Sequence, residues 1–244
     1  MRTLLLSFLI LLSVNSKAHA WGFKELGEEA ASPWTDRTAR HTLLTGAVLT
    51  YGFAVFEDQV GDPFQDKQVR NKSLGSTSGW GDIMGQMVPN LLYMGGMGIA
   101  GFYKDPKGYD RAIGMFKATA YASSVTTILK YTIREPRPND NSTKNSFPSG
   151  HSTTVFAFSG YVAAEHGWGW GSAAMALSLF TAYSRINDNM HRLHDVTAGA
   201  TIGWVYGWGI SRLQKRKADS EKKEAFIAPI LDSQTAGLSV YKEF

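Results

Sequence analysis

Residues 112–133 read AIGMFKATAYASSVTTILKYTI. Apolar side chains at Met115, Ala118, Ala122, Val125, Leu129 and Ile133 recur every three or four positions, the spacing of one face of an α-helix. Pro136 and Pro138 end the pattern, because proline lacks the N–H and clashes with the preceding turn. The polar run 139–147 reads as a loop. A second helix is predicted from near Ser149 to about Glu165, a third over 172–184, and a fourth from about His191 to Lys215. In the fourth, Gly199, Gly203 and Gly207 fall four apart, a smooth stripe where another helix can approach closely. No strand-like alternation competes across this region. The pattern predicts an all-α fold, a helical bundle.

Upstream the signal is weaker. Residues 21–40 are polar and mixed, a short amphipathic lead-in. Residues 41–56 read as a helix that ends before Glu57 and Asp58. The stretch 57–82 is rich in Gly, Asp, Lys and Ser and reads as a loop. Residues 86–103 are uncharged and helical in pattern, but broken by Pro89 and four glycines. In the tail, Leu238, Val240 and Phe244 share one parity, which suggests a short strand or arm. The expected organisation is a signal peptide (1–20), N-terminal helices of the bundle (21–111), a core (112–213), and a basic stretch with the tail (214–244).

The 244 residues include no cysteine, which excludes a disulfide scaffold, a thiolate metal site and a cysteine nucleophile. A hydrophobic share of 43% with 12% aromatics excludes a disordered chain. The uncharged stretches 86–103, 167–184 and 196–211 are diluted by small polar residues and are marginal as bilayer spans, so a soluble or peripheral bundle and an integral one both stay open. The net charge of +4 is mild, and six Lys/Arg against three acids are concentrated in 211–224. There is no broad basic face, so no nucleic-acid partner is expected; a solvated helix end or contact with an anionic membrane surface fits better. Arg2, the apolar run 3–14, and the small residues Ala18 and Ala20 before Trp21 have the form of a secretory signal peptide. The run is too short to span a bilayer. The chain is therefore expected to be exported, periplasmic or membrane-associated with its site facing the periplasm.

Three clusters carry chemistry: Lys130-YTIREP-Arg137-Pro138, then Pro148-Ser149-Gly150-His151, then Ser184-Arg185-INDNM-His191-RLH-Asp195. Lys130, Arg137 and Arg185 are cations that can converge on one dianion, the guanidinium groups through paired N–H donors. Ser149, Gly150 and His151 lie where a helix should open, so free backbone N–H groups there can face an anion, and Gly150 lets the backbone come close. His191 and Asp195 are four apart and share a helix face. A carboxylate on one imidazole nitrogen fixes the tautomer and leaves the other nitrogen free to attack. His151, on another helix, is then free to protonate a leaving group. A charge clamp, an in-line nucleophile and an acid are the parts phosphoryl transfer needs.

The three clusters resemble the signature of the type 2 phosphatidic acid phosphatase superfamily, which includes vanadium haloperoxidases and bacterial class A acid phosphatases. That signature is K-x6-R-P, P-S-G-H and S-R-x5-H-x3-D, and every fixed position is present. Nine residues separate Pro138 from Pro148, at the short end for the family, and thirty-two separate His151 from Ser184. The resemblance implies a helical bundle and a metal-independent phosphatase, without a cofactor, working through a phosphohistidine. Carried over by position, His191 would be the nucleophile, Asp195 its partner, and His151 the acid and then the base. Lys130, Arg137, Arg185, Ser149 and the Gly150 amide would hold the phosphoryl oxygens. The expected substrate is a phosphorylated lipid: phosphatidic acid, phosphatidylglycerol phosphate, a polyprenyl pyrophosphate or a lipid A phosphate. A soluble, non-specific acid phosphatase acting on small phosphate esters is the alternative. A vanadate-dependent haloperoxidase and a non-enzymatic envelope protein are further ones.

Other residues read more plainly. His41 and His166 are expected to be ordinary packing or surface residues. Arg134 and Arg192 read as surface charge. His194, three from His191 and beside Asp195, could mimic a metal site, but no further cluster has ligand spacing, so no metal is expected and His194 should line the pocket or face solvent. Trp168, Trp170, Trp204 and Trp208 suit either a lipid interface or burial in the bundle.

Overall fold

A computed structural model describes residues 22–223, 226–232 and 235–241, with side chains as far as Ser220. The expected signal peptide, 1–20, lies outside the described residues. The chain begins with α1 (Phe23–Ala30), α2 (Ser32–Thr35) and α3 (Arg37–Val55). A π-helical turn at Glu57–Gly61 leads into α4 (Asp62–Asn71), a 3₁₀ turn at Gly75–Thr77 and α5 (Ser78–Gly85). There follow α6 (Val88–Phe102), α7 (Gly108–Ile133), α8 (Gly150–His166), α9 (Trp168–Asn187) and α10 (Leu193–Lys223). The tail forms an antiparallel pair, β1 (Phe226–Asp232) and β2 (Thr235–Tyr241), in which Phe226 faces Tyr241 and Asp232 faces Thr235. Among the described residues no helix is long and apolar enough to cross a membrane.

The all-α bundle is built around α8, whose side chains from Ser152 to Phe156 and from Ser159 to Ala163 are buried on nearly every side. It packs most extensively on α10, and α7 and α9 close its other faces. The glycine stripe of α10 explains the closeness. A Cβ on Gly199 would strike the Ser149 carbonyl, one on Gly203 the Thr153 carbonyl, and one on Gly207 the Ala157 carbonyl. These three glycines let α10 lie backbone against backbone on the first three turns of α8. Thr153 Oγ1 of α8 donates to the Ser149 carbonyl at 2.9 Å, and Ser178 Oγ of α9 donates across to the Val155 carbonyl of α8 at 2.7 Å.

Three expectations change. The stretch 57–82 is helical for most of its length and is no loop. Pro63 sits in the first turn of α4, where a missing N–H costs nothing. Its helices pack through polar side chains, which hides them from an apolar periodicity: Gln65 Nε2 donates to Asn189 Oδ1 at 2.6 Å, and Tyr183 Oη to Gln68 Oε1 at 2.5 Å. Pro89 likewise starts α6 and does not break it. Finally, α10 opens at Leu193, so His191 lies just before the helix and not on its face. Arg212, Arg216 and Lys217 of α10 are engaged in ion pairs with the N-terminal acids. Arg212 and Arg216 approach Asp36 at 3.7 and 3.6 Å, and Lys217 approaches Glu28 at 2.8 Å.

Candidate active site

The start of α8, the end of α9, the turn before α10 and the loop after α7 meet at one end of the bundle. Asp195, fully buried in the first turn of α10, ties them together. Its Oδ2 accepts from Arg192 N at 2.8 Å, the reach of an acidic residue back over a helix start. The same oxygen accepts from Ser146 Oγ at 2.6 Å and lies 3.5 Å from His191 Nδ1. The Asp195 carbonyl accepts from Ser149 N at 3.0 Å, locking α8 to α10. Burial alone would raise the Asp195 pKa; the bonds from His191 and Ser146 and the nearby His194 outweigh it and hold the carboxylate below its usual range.

His191 is 2% exposed. Burial depresses its pKa, against the opposing pull of Asp195, so the ring is held neutral. With Nδ1 turned to Asp195, Nε2 carries the free lone pair. The expected contact between His191 and Asp195 is thus present, though His191 precedes the helix: the Asp195 side chain reaches backwards to meet it.

The cations gather around this pair. Lys130 Nζ donates to the Asn145 carbonyl at 2.5 Å and the Ser146 carbonyl at 3.2 Å. Burial and then the neighbouring Arg137 lower its pKa to about 8. Arg137 Nε donates to Asn145 Oδ1 at 2.7 Å; burial and the charge of Arg185 depress its pKa too. Mutual repulsion among Lys130, Arg137 and Arg185 is the signature of a clamp whose guest is an anion. A Cβ on Gly150 would lie 3.9 Å from Lys130 Cε, so the opening turn of α8 faces the same cluster. The N–H groups of Gly150 and His151 have no intrahelical acceptor at that turn. Ser149 caps α8: its Oγ accepts from Ser152 N at 3.4 Å and Ser152 Oγ at 3.1 Å, which leaves its own proton to donate.

Arg185 is 3% exposed and spans two carboxylates: Nη1 to Asp82 Oδ1 at 2.5 Å and Nη2 to Asp188 Oδ2 at 3.0 Å. The same Asp82 oxygen lies 3.1 Å from His151 Nε2, which is buried and makes no hydrogen bond there. Burial and then Arg185 lower the His151 pKa to about 4, with Asp82 pulling it up. Asp82 comes from α5, in the stretch read from sequence as a loop. Gly81 and Gly85 flank it, and a Cβ on either would strike Ser184 or the His151 ring. Those two glycines, four apart, press α5 onto α8 and α9. The same spacing that marked α10 was the available signal, and sequence reading passed over it.

Behind Asp195 lies a second layer that the sequence did not reveal. His194 is buried and does not face solvent. Its Nε2 lies 2.9 Å from Glu135 Oε1 and 3.5 Å from Asp195 Oδ1. Burial opposes its charge, but the bond to Glu135 and the charges of Asp195 and Glu57 raise its pKa. Arg192 is not plain surface charge either: Nε pairs with Glu57 Oε1 at 2.7 Å and Nη1 with Glu135 Oε1 at 3.1 Å. Glu135, His194 and Asp195 each bring a ligand atom to within 4.8 Å of one another. The 2.9 Å approach of His194 to Glu135 is a hydrogen-bond distance, which places a proton where a cation would need the lone pair. Away from this end, His166 packs as expected, with Nε2 2.7 Å from Tyr93 Oη. Trp168, Trp204 and Trp208 form one stacked group, while Trp170 points outward.

Residues 111–219 match the profile of the PAP2 superfamily. The match runs from the start of α7 to near the end of α10. The PAP2 segment takes in every residue of the site except Asp82 and Glu57. A lipid A 1-phosphatase of Porphyromonas gingivalis is 32% identical over 178 residues, 70% of this chain and 37% of that protein. A lipid A 4'-phosphatase of Helicobacter pylori is 32% identical over 105 residues, 43% of this chain and 50% of that one. The chain thus spans half or less of the length of these curated relatives. Among solved structures, a transmembrane PAP2-type phosphatidylglycerolphosphate phosphatase from Bacillus subtilis superposes with a TM-score of 0.41 at 17% identity, covering 88% of this chain and 95% of that one.

Proposed function

We propose that this protein is a lipid phosphate phosphatase that works through a phosphohistidine on His191. The observation that carries the reading is the meeting of Lys130, Arg137 and Arg185 around the neutral, Asp195-held His191, with His151 across the same pocket. His191 Nε2 attacks phosphorus while Lys130, Arg137, Arg185 and the Gly150 amide take the phosphoryl oxygens. The P–O bond to the lipid breaks, and His151 gives its proton to the departing oxygen. His151 then takes a proton from water, which attacks the N–P bond and releases inorganic phosphate and free His191.

A lipid is favoured by the outer surface. Leu44, Val48 and Val55 of α3, Leu92 and Ile99 of α6, and Trp168 and Trp170 of α9 are exposed. An apolar cleft of about 420 Å³ opens between α6, α8 and α9, lined by Met97, Phe158, Val162 and Leu177 among others. The two relatives named as lipid A 1- and 4'-phosphatases support a phosphorylated lipid as the substrate class. The leader-like residues 1–20 favour export, with the protein at a membrane surface on the periplasmic side.

The test is phosphate release from phosphatidic acid, phosphatidylglycerol phosphate, lipid A and a short soluble ester, in detergent. Faster turnover of the lipids, undiminished by EDTA and inhibited competitively by orthovanadate, is expected. Equal rates on the soluble ester would make it a non-specific phosphatase. Loss in EDTA with recovery on adding zinc would overturn the metal-independent mechanism.

Asp82 sets the proton inventory of His151. Its carboxylate raises the His151 pKa, so Asp82→Asn lowers it. An acid acts only below its pKa, so the alkaline limb of the pH–rate profile should move to lower pH in Asp82→Asn. An unmoved limb would separate His151 from the leaving-group step.

A further inference from the structure

Beside the clamp, the loop after α7 walls a surface cavity of about 580 Å³ lined by Tyr131, Arg134, Ser142 and Lys144. That is within the range of small-molecule pockets, ~300–1,000 Å³. We propose that this cavity is a second anion subsite, which takes a further phosphate monoester carried by the same substrate. The inference rests on the lipid phosphatase reading and narrows its substrate class to amphiphiles with two phosphate groups.

Four observations carry it. First, Arg134 and Lys144 are exposed and, among the described residues, neither is ion-paired or hydrogen-bonded through its side chain. By contrast, Arg111, Arg185, Arg192, Arg212 and Arg216 all have carboxylate partners. Second, the cavity adjoins the clamp through the chain itself. Arg134 N bonds the Lys130 carbonyl at 3.1 Å, and Lys144 precedes Asn145, which holds both Lys130 and Arg137. Third, the loop is held in place. Asp140 accepts from Ser142 N at 2.9 Å, from Ser142 Oγ at 2.6 Å and from Thr143 Oγ1, and Arg137 N bonds the Thr143 carbonyl at 3.1 Å. Asp140 is thereby turned onto the loop's own backbone and hydroxyls, and Glu135, the loop's other acid, is paired with Arg192 and His194. Fourth, Ile128, Tyr131 and Ile133 expose apolar surface on the same end of α7, where the body of an amphiphile can rest. A guanidinium and an ammonium beside hydroxyls of Tyr131 and Ser142 suit a phosphorylated sugar better than a bare acyl chain.

The experiment compares the parent with the double variant Arg134→Ala/Lys144→Ala in neutral detergent micelles. The substrates are diphosphorylated lipid A and its monophosphorylated form. The variant should raise KM for the diphosphorylated lipid by about tenfold, leaving its kcat and the KM for the monophosphorylated lipid unchanged. An equal change for both lipids, or none for either, overturns the subsite. A third arm adds phosphatidylglycerol to micelles of the monophosphorylated lipid. If the variant's defect follows that addition and not the substrate's phosphate count, the anion belongs to a neighbouring lipid and the proposal fails. Binding of the two lipids to His191→Ala, with and without the double substitution, reads the subsite without turnover. An inactive parent that still discriminates the two lipids through Arg134 and Lys144 would refute the phosphatase reading alone.

Discussion

Replacing His191 with alanine is expected to lower lipid phosphate turnover by about 10⁴-fold or more, since it removes the Asp195-held nitrogen that forms the N–P bond. The fold should survive. Asp195 keeps the Ser146 hydroxyl and the Arg192 amide as partners, and the glycine contacts between α8 and α10 do not involve the imidazole. Substrate binding should therefore persist, because the cationic clamp is untouched. The measurements are kcat in micelles, circular dichroism and equilibrium binding of the lipid. Turnover within tenfold of the parent would move the nucleophile elsewhere.

Arg185→Ala is expected to cost about 10³-fold in kcat, the scale seen when one preorganised donor to transition-state charge is removed. It should also lower stability. Arg185 is buried, and its loss strands Asp82 and Asp188. Those two carboxylates keep partial access to water, so the cost falls below that of a fully buried broken pair, at about 2 kcal/mol, or a Tm lower by about 5 °C. Arg185→Lys should restore much of the stability and little of the rate, because one ammonium cannot serve two carboxylates and a phosphoryl oxygen in the guanidinium's fixed geometry. A fully active Arg185→Lys enzyme would show that only the charge matters there.

The two layers of the site differ in how far one-dimensional reading reaches. Lys130, Arg137, Ser149, Gly150, His151, Arg185, His191 and Asp195 stand in three short clusters with fixed spacing, and residue type plus spacing was enough to select them. Asp82, Ser146 and Glu57 belong to no such cluster. Asp82 reaches Arg185 across 103 positions and Glu57 reaches Arg192 across more than a hundred, so nothing local marks either. Glu135 lay inside the first cluster, but its role depends on His194 and Arg192 being folded against it.

Local sequence settled the helices of the core, because a three-to-four spacing and a glycine stripe act within a few turns of one chain segment. It also settled which residue types were present for an anion and a phosphoryl acceptor. Tertiary packing alone decided that the polar stretch 57–82 folds into helices, that α5 presses Asp82 against His151 and Arg185, and that Asp195 reaches back to a His191 lying outside its helix. The physical reason is the range of the forces. Helix propensity and steric fit of neighbouring turns are local, whereas polar side chains that bridge distant segments gain their bonds only once the backbone has brought them together and excluded water.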